Sequence, residues 1–236
     1  MDSAHDPRFI RLRLGPRYNS LGSVYVPYQL LSPDPDSDLH RIHLLSEDKA
    51  KQDLWVYGTY CVEVLHLLVQ WLHTGKYSEL RGPVRRFHSG DDIPDLKMWP
   101  DIRLEETMDW AVKAAILAWL LGYELELPEF RNYAMSRLFA ALSRKSERPQ
   151  LTPDLCKSVW RNTEDSGEID RALADMVVRN WGDAAIVDQA GLSEWVEVIE
   201  DEHSGFTEKF IAGALLSLEK RREKVLVAED YFESEV

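Results

Sequence analysis

Residues 61–75, Cys-Val-Glu-Val-Leu-His-Leu-Leu-Val-Gln-Trp-Leu-His-Thr-Gly, decide how the rest of the chain can fold. Wound as a helix at about 100° per residue, they put Val62, Leu65, Leu68, Val69 and Leu72 on one arc, and Leu67 and Trp71 extend the apolar surface round the back. Only the strip carrying Glu63, His66, Gln70, His73 and Thr74 suits water. So narrow a polar strip predicts a helix buried on more than one side. Gly75 supplies the left-handed residue that commonly closes a helix.

Upstream, Arg8 to Leu14 alternates Ile10, Leu12 and Leu14 with Arg11 and Arg13, the pattern of a strand with one wet face. Turn residues at Gly15-Pro16 and Asn19 to Gly22 separate it from a second β-rich run, Ser23 to Tyr28. The short connection predicts an antiparallel hairpin. The proline and aspartate run Ser32 to Asp38 predicts a solvated loop, residues 39–52 carry no single pattern, and Leu54 to Tyr57 predicts a third strand.

Downstream, residues 76–100 are interrupted by Gly82-Pro83, Ser89-Gly90 and Ile93-Pro94, which predicts a long irregular insertion. A second apolar helix is expected from Leu104 to Leu121, opened by Glu105, Glu106 and Asp109 and ended by Gly122, with Lys113 the one charge between Trp110 and Leu121. Pro128 then starts a helix to Leu142 with Phe130, Ala134, Leu138 and Ala141 on one face. Leu68, Trp71, Leu117 and Leu120 are expected to share one core cluster. After a junction at Arg148-Pro149, helices are expected at Thr152–Asn162, capped by Thr152, and at Glu168–Trp181, Leu192–Glu202 and Phe206–Lys224. The last would hold Phe210, Ala214 and Leu218 in one apolar register and end on Lys220-Arg221-Arg222. An acidic tail is expected over residues 226–236, with Ala228 to Val236 frayed and a docking peptide around Tyr231-Phe232 as the alternative.

With 236 residues, 44% of them hydrophobic, the chain can fill a substantial core. Its net charge of −13 argues against an electrostatic grip on nucleic acid or anionic membrane, either of which needs a concentrated basic face. Arg81, Arg85 and Arg86 form a small central cluster that reads as exposed loop. Cys61 and Cys156 stand far apart without a CxxC partner, so neither a disulfide framework nor a zinc site is signalled, and an intracellular, reducing setting is expected. The longest apolar run is too short to span a bilayer.

The spacings that carry chemistry are missing from the sequence: no Walker-type loop, no GxSxG elbow, no GxGxxG after a strand and no HExxH. His40 and His43 are three apart but lack an ordered carboxylate companion, and Asp91, Asp92 and Asp95 lack the spacing of a calcium loop. Cys61 reads as a small hydrophobe at the mouth of the central helix. Trp71, Trp110 and Trp119 fall on apolar helix faces, whereas Trp55, Trp99 and Trp160 are free to be core or interface anchors. No catalytic, metal or cofactor residue is therefore expected, and no partner-binding residue can be singled out. An enzyme whose site assembles from scattered residues is the alternative, to be recognised by a deep polar pocket with several perturbed titratable groups.

The order of these elements resembles the BTB/POZ domain, most closely its divergent fungal members. The resemblance rests on two short strands with Val26-Pro27-Tyr28-Gln29-Leu30-Leu31, a third strand, and Val69-Gln70-Trp71-Leu72-His73-Thr74-Gly75, where His73 replaces the family's tyrosine. It continues through Ile116-Leu117-Ala118-Trp119-Leu120-Leu121-Gly122, the proline-started Leu127 to Met135, and Val159 to Arg171. It covers residues 8–181. It implies an α+β fold, a small mixed sheet packed with helices over residues 8–147, followed by a helical annex at 150–225. It also implies a non-enzymatic protein-interaction module, used for self-association or as an adaptor of the kind that presents substrates to cullin-3 ubiquitin ligases. Residues 32–52 and 76–100 depart from the pattern near the family's partner surfaces, so no contact residue is carried over.

Many members of that family dimerise by exchanging a strand that precedes the first core strand. Here Met1 to Pro7 carries two aspartates, a proline and no β-branched residue, a poor exchanging strand. A strand-swapped homodimer is therefore not expected. Light scattering of the full chain and of a variant lacking residues 1–7 should give the same mass per particle at low and high salt; a dimer that becomes a monomer on deletion would show that the swap exists.

Overall fold

The computed structural model describes residues 9–14, 22–27, 53–56, 62–77, 110–144, 150–163, 167–190, 192–200 and 205–233. Strands β1 (Phe9–Leu14) and β2 (Gly22–Pro27) form the expected antiparallel pair, with Leu12 opposite Val24 and Arg11 opposite Tyr25. Period-two alternation sorts the faces: Leu12, Val24 and Val26 are buried, Tyr25 is exposed, and Arg11 and Arg13 are half-buried. On the outer face, the Arg11 guanidinium donates to the Ser23 hydroxyl at 3.1 Å and lies over the Tyr25 ring. Strand β3 (Asp53–Val56) pairs parallel to β1, giving the order β2-β1-β3. The sheet is thus mixed, with β2 and β3 on opposite sides of β1.

Helix α1 (Val62–Thr74) packs on β2 and on the next helix. The polar strip falls where winding puts it, with His66, Gln70, His73 and Thr74 exposed. The buried arc is turned relative to expectation. Val64, Leu65, Leu67 and Leu68 are buried, while Val69, Trp71 and Leu72 are half-buried, because the sheet and the following helix grip α1 from the Val64 side. Gly75 closes the helix at φ +67°, its N–H donating to the Trp71 carbonyl at 2.7 Å. Two residues later Tyr77, expected to lie in an irregular insertion, is buried edge-on against Tyr133 and Phe130. Residues 78–109 lie outside the described residues, as do 1–8, 28–52 and 57–61.

Helix α2 (Trp110–Glu124) is buried along its whole described surface from Ala111 to Gly122, Lys113 included. Gly122 does not end it. A Cβ there would lie 2.8 Å from Arg131 Cγ and 3.2 Å from Phe130 Cδ1, so the glycine lets α2 and α3 (Pro128–Leu142) approach each other. The stop comes four residues later. Glu126 takes the left-handed conformation (φ 54°), Leu127 N–H donates to Gly122 O at 2.8 Å and Glu126 N–H to Tyr123 O at 3.2 Å, the paired bonds of a Schellman closure. Pro128 starts α3 as expected, and Phe130, Ala134, Leu138 and Ala141 are all buried, joined by Met135.

The annex comprises α4 (Pro153–Asn162), α5 (Glu168–Asn180), α6 (Leu192–Glu200), α7 (Phe206–Ala214) and α8 (Leu218–Arg222). Thr152 caps α4 by accepting from Leu155 N–H at 3.2 Å. In α5, Asp170 reaches back to Gly167 N–H at 3.2 Å and accepts from the Thr163 hydroxyl at 2.7 Å, which ties α4 to α5 inside the motif that carried the family resemblance. Three expectations are overturned here. The helix expected over Phe206–Lys224 is two helices, broken at Leu215–Ser217, where Ser217 caps α8 by accepting from Lys220 N–H at 3.3 Å. Ala214 is exposed rather than in register with Phe210. The tail does not fray: through Glu233 it packs on the protein, with Ala228–Tyr231 as a 3-10 turn and Tyr231 buried. Trp160 is core, ring to ring with Phe206 at 5.4 Å.

One continuous core runs from Leu12 in the sheet through α2 to Tyr231, and Leu68, Leu117 and Leu120 belong to it with Trp71 packed on its edge. The architecture is α+β: helices around a small mixed sheet, extended by helices that share its core. Because Gly122 packs and Glu126 turns, substitutions there should move stability in opposite directions. Gly122→Ala should cost about 1–3 kcal/mol by overpacking, and Glu126→Gly should gain up to about 1 kcal/mol by relieving the left-handed backbone. Urea denaturation of the two variants checks both signs.

Candidate protein-docking surface

Helix α5 is the spine of the annex. Ile169, Ala172, Leu173, Met176 and Val177 are buried, leaving Asp175, Val178 and Arg179 to face α7 and α8. Gly213 sets how close α7 comes, since a Cβ there would lie 2.3 Å from Val178 Cγ1. Arg221 then folds back onto backbone carbonyls, donating to Gly213 O at 3.1 Å and Leu216 O at 2.9 Å around the end of α7 and to Trp181 O at the end of α5. Arg222 holds the other end of α8, donating to Asn180 Oδ1 at 3.1 Å and pairing with Asp183. The hydrogen bond from Arg222 to Asp183 holds that carboxyl below the usual range.

Between these elements lies a cleft of about 330 Å³. Val178, Ala212, Leu216 and Leu226 give it an apolar floor. Five cations line it, Arg179, Lys209, Lys220, Arg221 and Lys224, against one carboxylate, Asp175. In a chain of net charge −13, this concentration of positive charge opposes the average field of the protein. The neighbouring helix surface is also apolar, with Leu215 83% and Ile211 58% exposed. A second cleft, about 420 Å³, lies on the other side of the segment after α8 and is lined by Phe139, Leu142, Met176, Ile186 and Val225 among others.

The tail closes this region against the body of the fold. Arg171 donates to the Asp230 carbonyl at 2.6 Å and lies over the Tyr231 ring, and Phe139 packs on that ring at 5.6 Å. Asn132 and Glu233 exchange two bonds, Glu233 N–H donating to Asn132 Oδ1 at 2.9 Å and Asn132 Nδ2 donating to Glu233 O at 3.3 Å, while Arg131 pairs with the Glu233 carboxylate. Burial of Glu233 outweighs that ion pair and raises its carboxyl above the usual value. The Tyr231 hydroxyl donates to Asp175 at 2.8 Å, and Lys209 pairs with the same carboxylate at 3.1 Å, so tail and cleft meet at Asp175. Burial, then the bond to Asp175, pushes the Tyr231 phenol well up.

Of the residues weighed from sequence, those that are described do not come together. His66 and His73 are exposed along α1. Cys156 is fully buried, and burial, with the nearby Asp170 charge, pushes its thiol up to about 12, which keeps it an inert hydrophobe at neutral pH. Cys61, His40, His43, Arg81, Arg85, Arg86, Asp91, Asp92, Asp95 and Trp99 lie outside the described residues, as do the side chains of Trp55 and Trp110. Among the described residues, no group of three or more His, Cys, Asp and Glu is placed to hold a metal ion, and no helix is long and apolar enough to cross a membrane. The cleft is not legible in the sequence because its cations come from three helices and the segment after α8. Lys220-Arg221-Arg222 reads locally as a basic helix end, and nothing local reveals that Lys209 and Arg179 face it.

The Tyr231 bond gives a pH test. A group whose folded pKa is raised contributes stability that is present below its unfolded value, about 10 for a phenol, and lost as pH rises through the folded one. Tyr231→Phe should therefore destabilise by about 1–2 kcal/mol at neutral pH, and its difference from wild type should shrink above about pH 10. Thermal melts of both proteins across that range check it.

Comparison with known proteins leaves the geometry to speak for itself: no family model, no curated protein and no solved structure matches this chain.

Proposed function

We propose that the chain is a non-enzymatic protein-interaction module, BTB/POZ-like in its sheet and first helices, that acts inside the cell as an adaptor or self-association domain. The observation that carries this reading is the character of its exposed surface. The annex presents a shallow cleft with an apolar floor and cationic rim beside exposed Ile211 and Leu215, the anchors of a protein contact. Among the described residues, the titratable groups Tyr231 and Glu233, both raised by burial, sit in clasps between segments. Tyr231 holds the tail to α5, Glu233 holds it to α3, and Cys156 is packed in the core. An enzyme would gather such groups in one polar pocket, and among the described residues these stand apart, two at the clasps of the tail and one in the core. The order of strands, Gly75-closed helix, apolar helix and proline-started helix supports the BTB-like assignment, and the same resemblance supports adaptor work with a cullin-3 ligase.

Two measurements test this. Affinity capture from the cells of origin, followed by mixing the purified chain with the purified candidate, should give a stoichiometric complex by size-exclusion light scattering, and titration calorimetry should show direct binding of the cullin-3 N-terminal region. Catalytic consumption of a small molecule from a metabolite extract, with no protein complex formed, would overturn the proposal.

A further inference from the structure

We infer that the cleft between α5, α7 and α8 takes an acidic segment of a partner protein, one apolar side chain resting on Leu216 and Leu226 and flanking carboxylates meeting Lys209, Lys220 and Lys224. The inference rests on the interaction-module reading and names the partner's chemistry.

The cations in the lining divide by what already holds them. Arg221 is committed to backbone carbonyls of Gly213 and Leu216, and Arg179 to those of Lys224 and Arg222, so both hold the walls in place. The three lysines are different. Lys220 pairs with Glu223 three residues on, Lys209 and Lys224 share Asp175, and the Lys224 contact is a loose 3.9 Å. Their side chains are 60%, 35% and 70% exposed in that order, and pairs of that kind contribute little and exchange readily. An incoming carboxylate can therefore recruit these ammonium groups without breaking the fold.

The floor adds what charge alone lacks. Leu216 is 47% exposed and Leu226 half-buried, beside Ala212 and Val178, so a partner's apolar side chain would remove their surface from water. The size of the cleft suits one such anchor with its neighbours. Charge selects the class of partner. A nucleic acid brings a phosphate at every nucleotide against a chain of net charge −13, whereas a short acidic peptide brings its few carboxylates only to the cleft. Asp230 and Glu233 of the protein's own acidic tail are already held outside the cleft lining, by Arg171, Asn132 and Arg131.

Panning random phage-displayed peptides on the full chain, and measuring the selected sequences as fluorescein-labelled peptides by anisotropy, tests the assignment. Selected peptides should combine acidic residues with an apolar one and bind more weakly as salt is raised. They should lose about tenfold in affinity to K220E/K224E, the size expected when two exposed pairs are reversed. Leu216→Ser should weaken them while leaving the salt dependence intact. Both variants change exposed side chains, and circular dichroism melts confirm that they fold. Peptides without acidic residues, peptides indifferent to K220E/K224E, or no selection at all would overturn the inference, as would oligo-uridine that competes for the cleft and is weakened by the same substitutions. If a captured partner still binds K220E/K224E as it binds wild type, the cleft assignment falls and the module reading stands; if no partner complex forms at all, that reading falls first.

Discussion

A helix with almost no polar face has to be enclosed, and the enclosure of α2 sets the rest of this structure. From Ala111 to Gly122 every side is covered. α1 and α3 supply part of the cover, and Gly167 at the start of α5 lies against Trp119. The annex thus shares the core of the body: one cluster runs from Leu12 to Tyr231, with Gly167 of the annex against Trp119 of the central helix. Burial of this kind is the main favourable term in folding, and it grows with the area taken from water.

The enclosure also fixes what is left outside. α5 spends most of its circumference on the core, so only Asp175, Val178 and Arg179 are free to shape the cleft with α7 and α8. The tail then crosses from α5 to α3 and joins annex and body through Tyr231 and Glu233. Asp175 takes both the Tyr231 hydroxyl and Lys209, so the clasp that secures the tail and the rim of the cleft depend on the same carboxylate. These contacts frame the surface from both sides, and a frame already in place lowers the ordering cost of binding.

Much of the fold was legible because its signals are local. Leu12 against Arg11 and Arg13 marked the first strand, Thr152-Pro153 marked the start of α4, Pro128 that of α3, and Gly75 the end of α1. The misreadings have one cause, long-range contact. Gly122 resembles a stop until Phe130 and Arg131 are seen pressing on it, after which Glu126 carries the turn. Phe206 to Lys224 has helical spacing throughout, but Arg221 bonding back to Gly213 and Leu216 belongs to a broken helix. The acidic tail looked solvated because Asn132, Arg171 and Asp175, which bind it, lie far away in sequence. The candidate cleft was illegible for the same reason, since its charges converge only when α5, α7 and α8 do.

The central claim is that body and annex are one cooperative unit built round α2. Differential scanning calorimetry tests it most directly. The account predicts a single transition whose calorimetric and van't Hoff enthalpies agree. Two separated transitions, with the annex melting while the body stays folded, would contradict it.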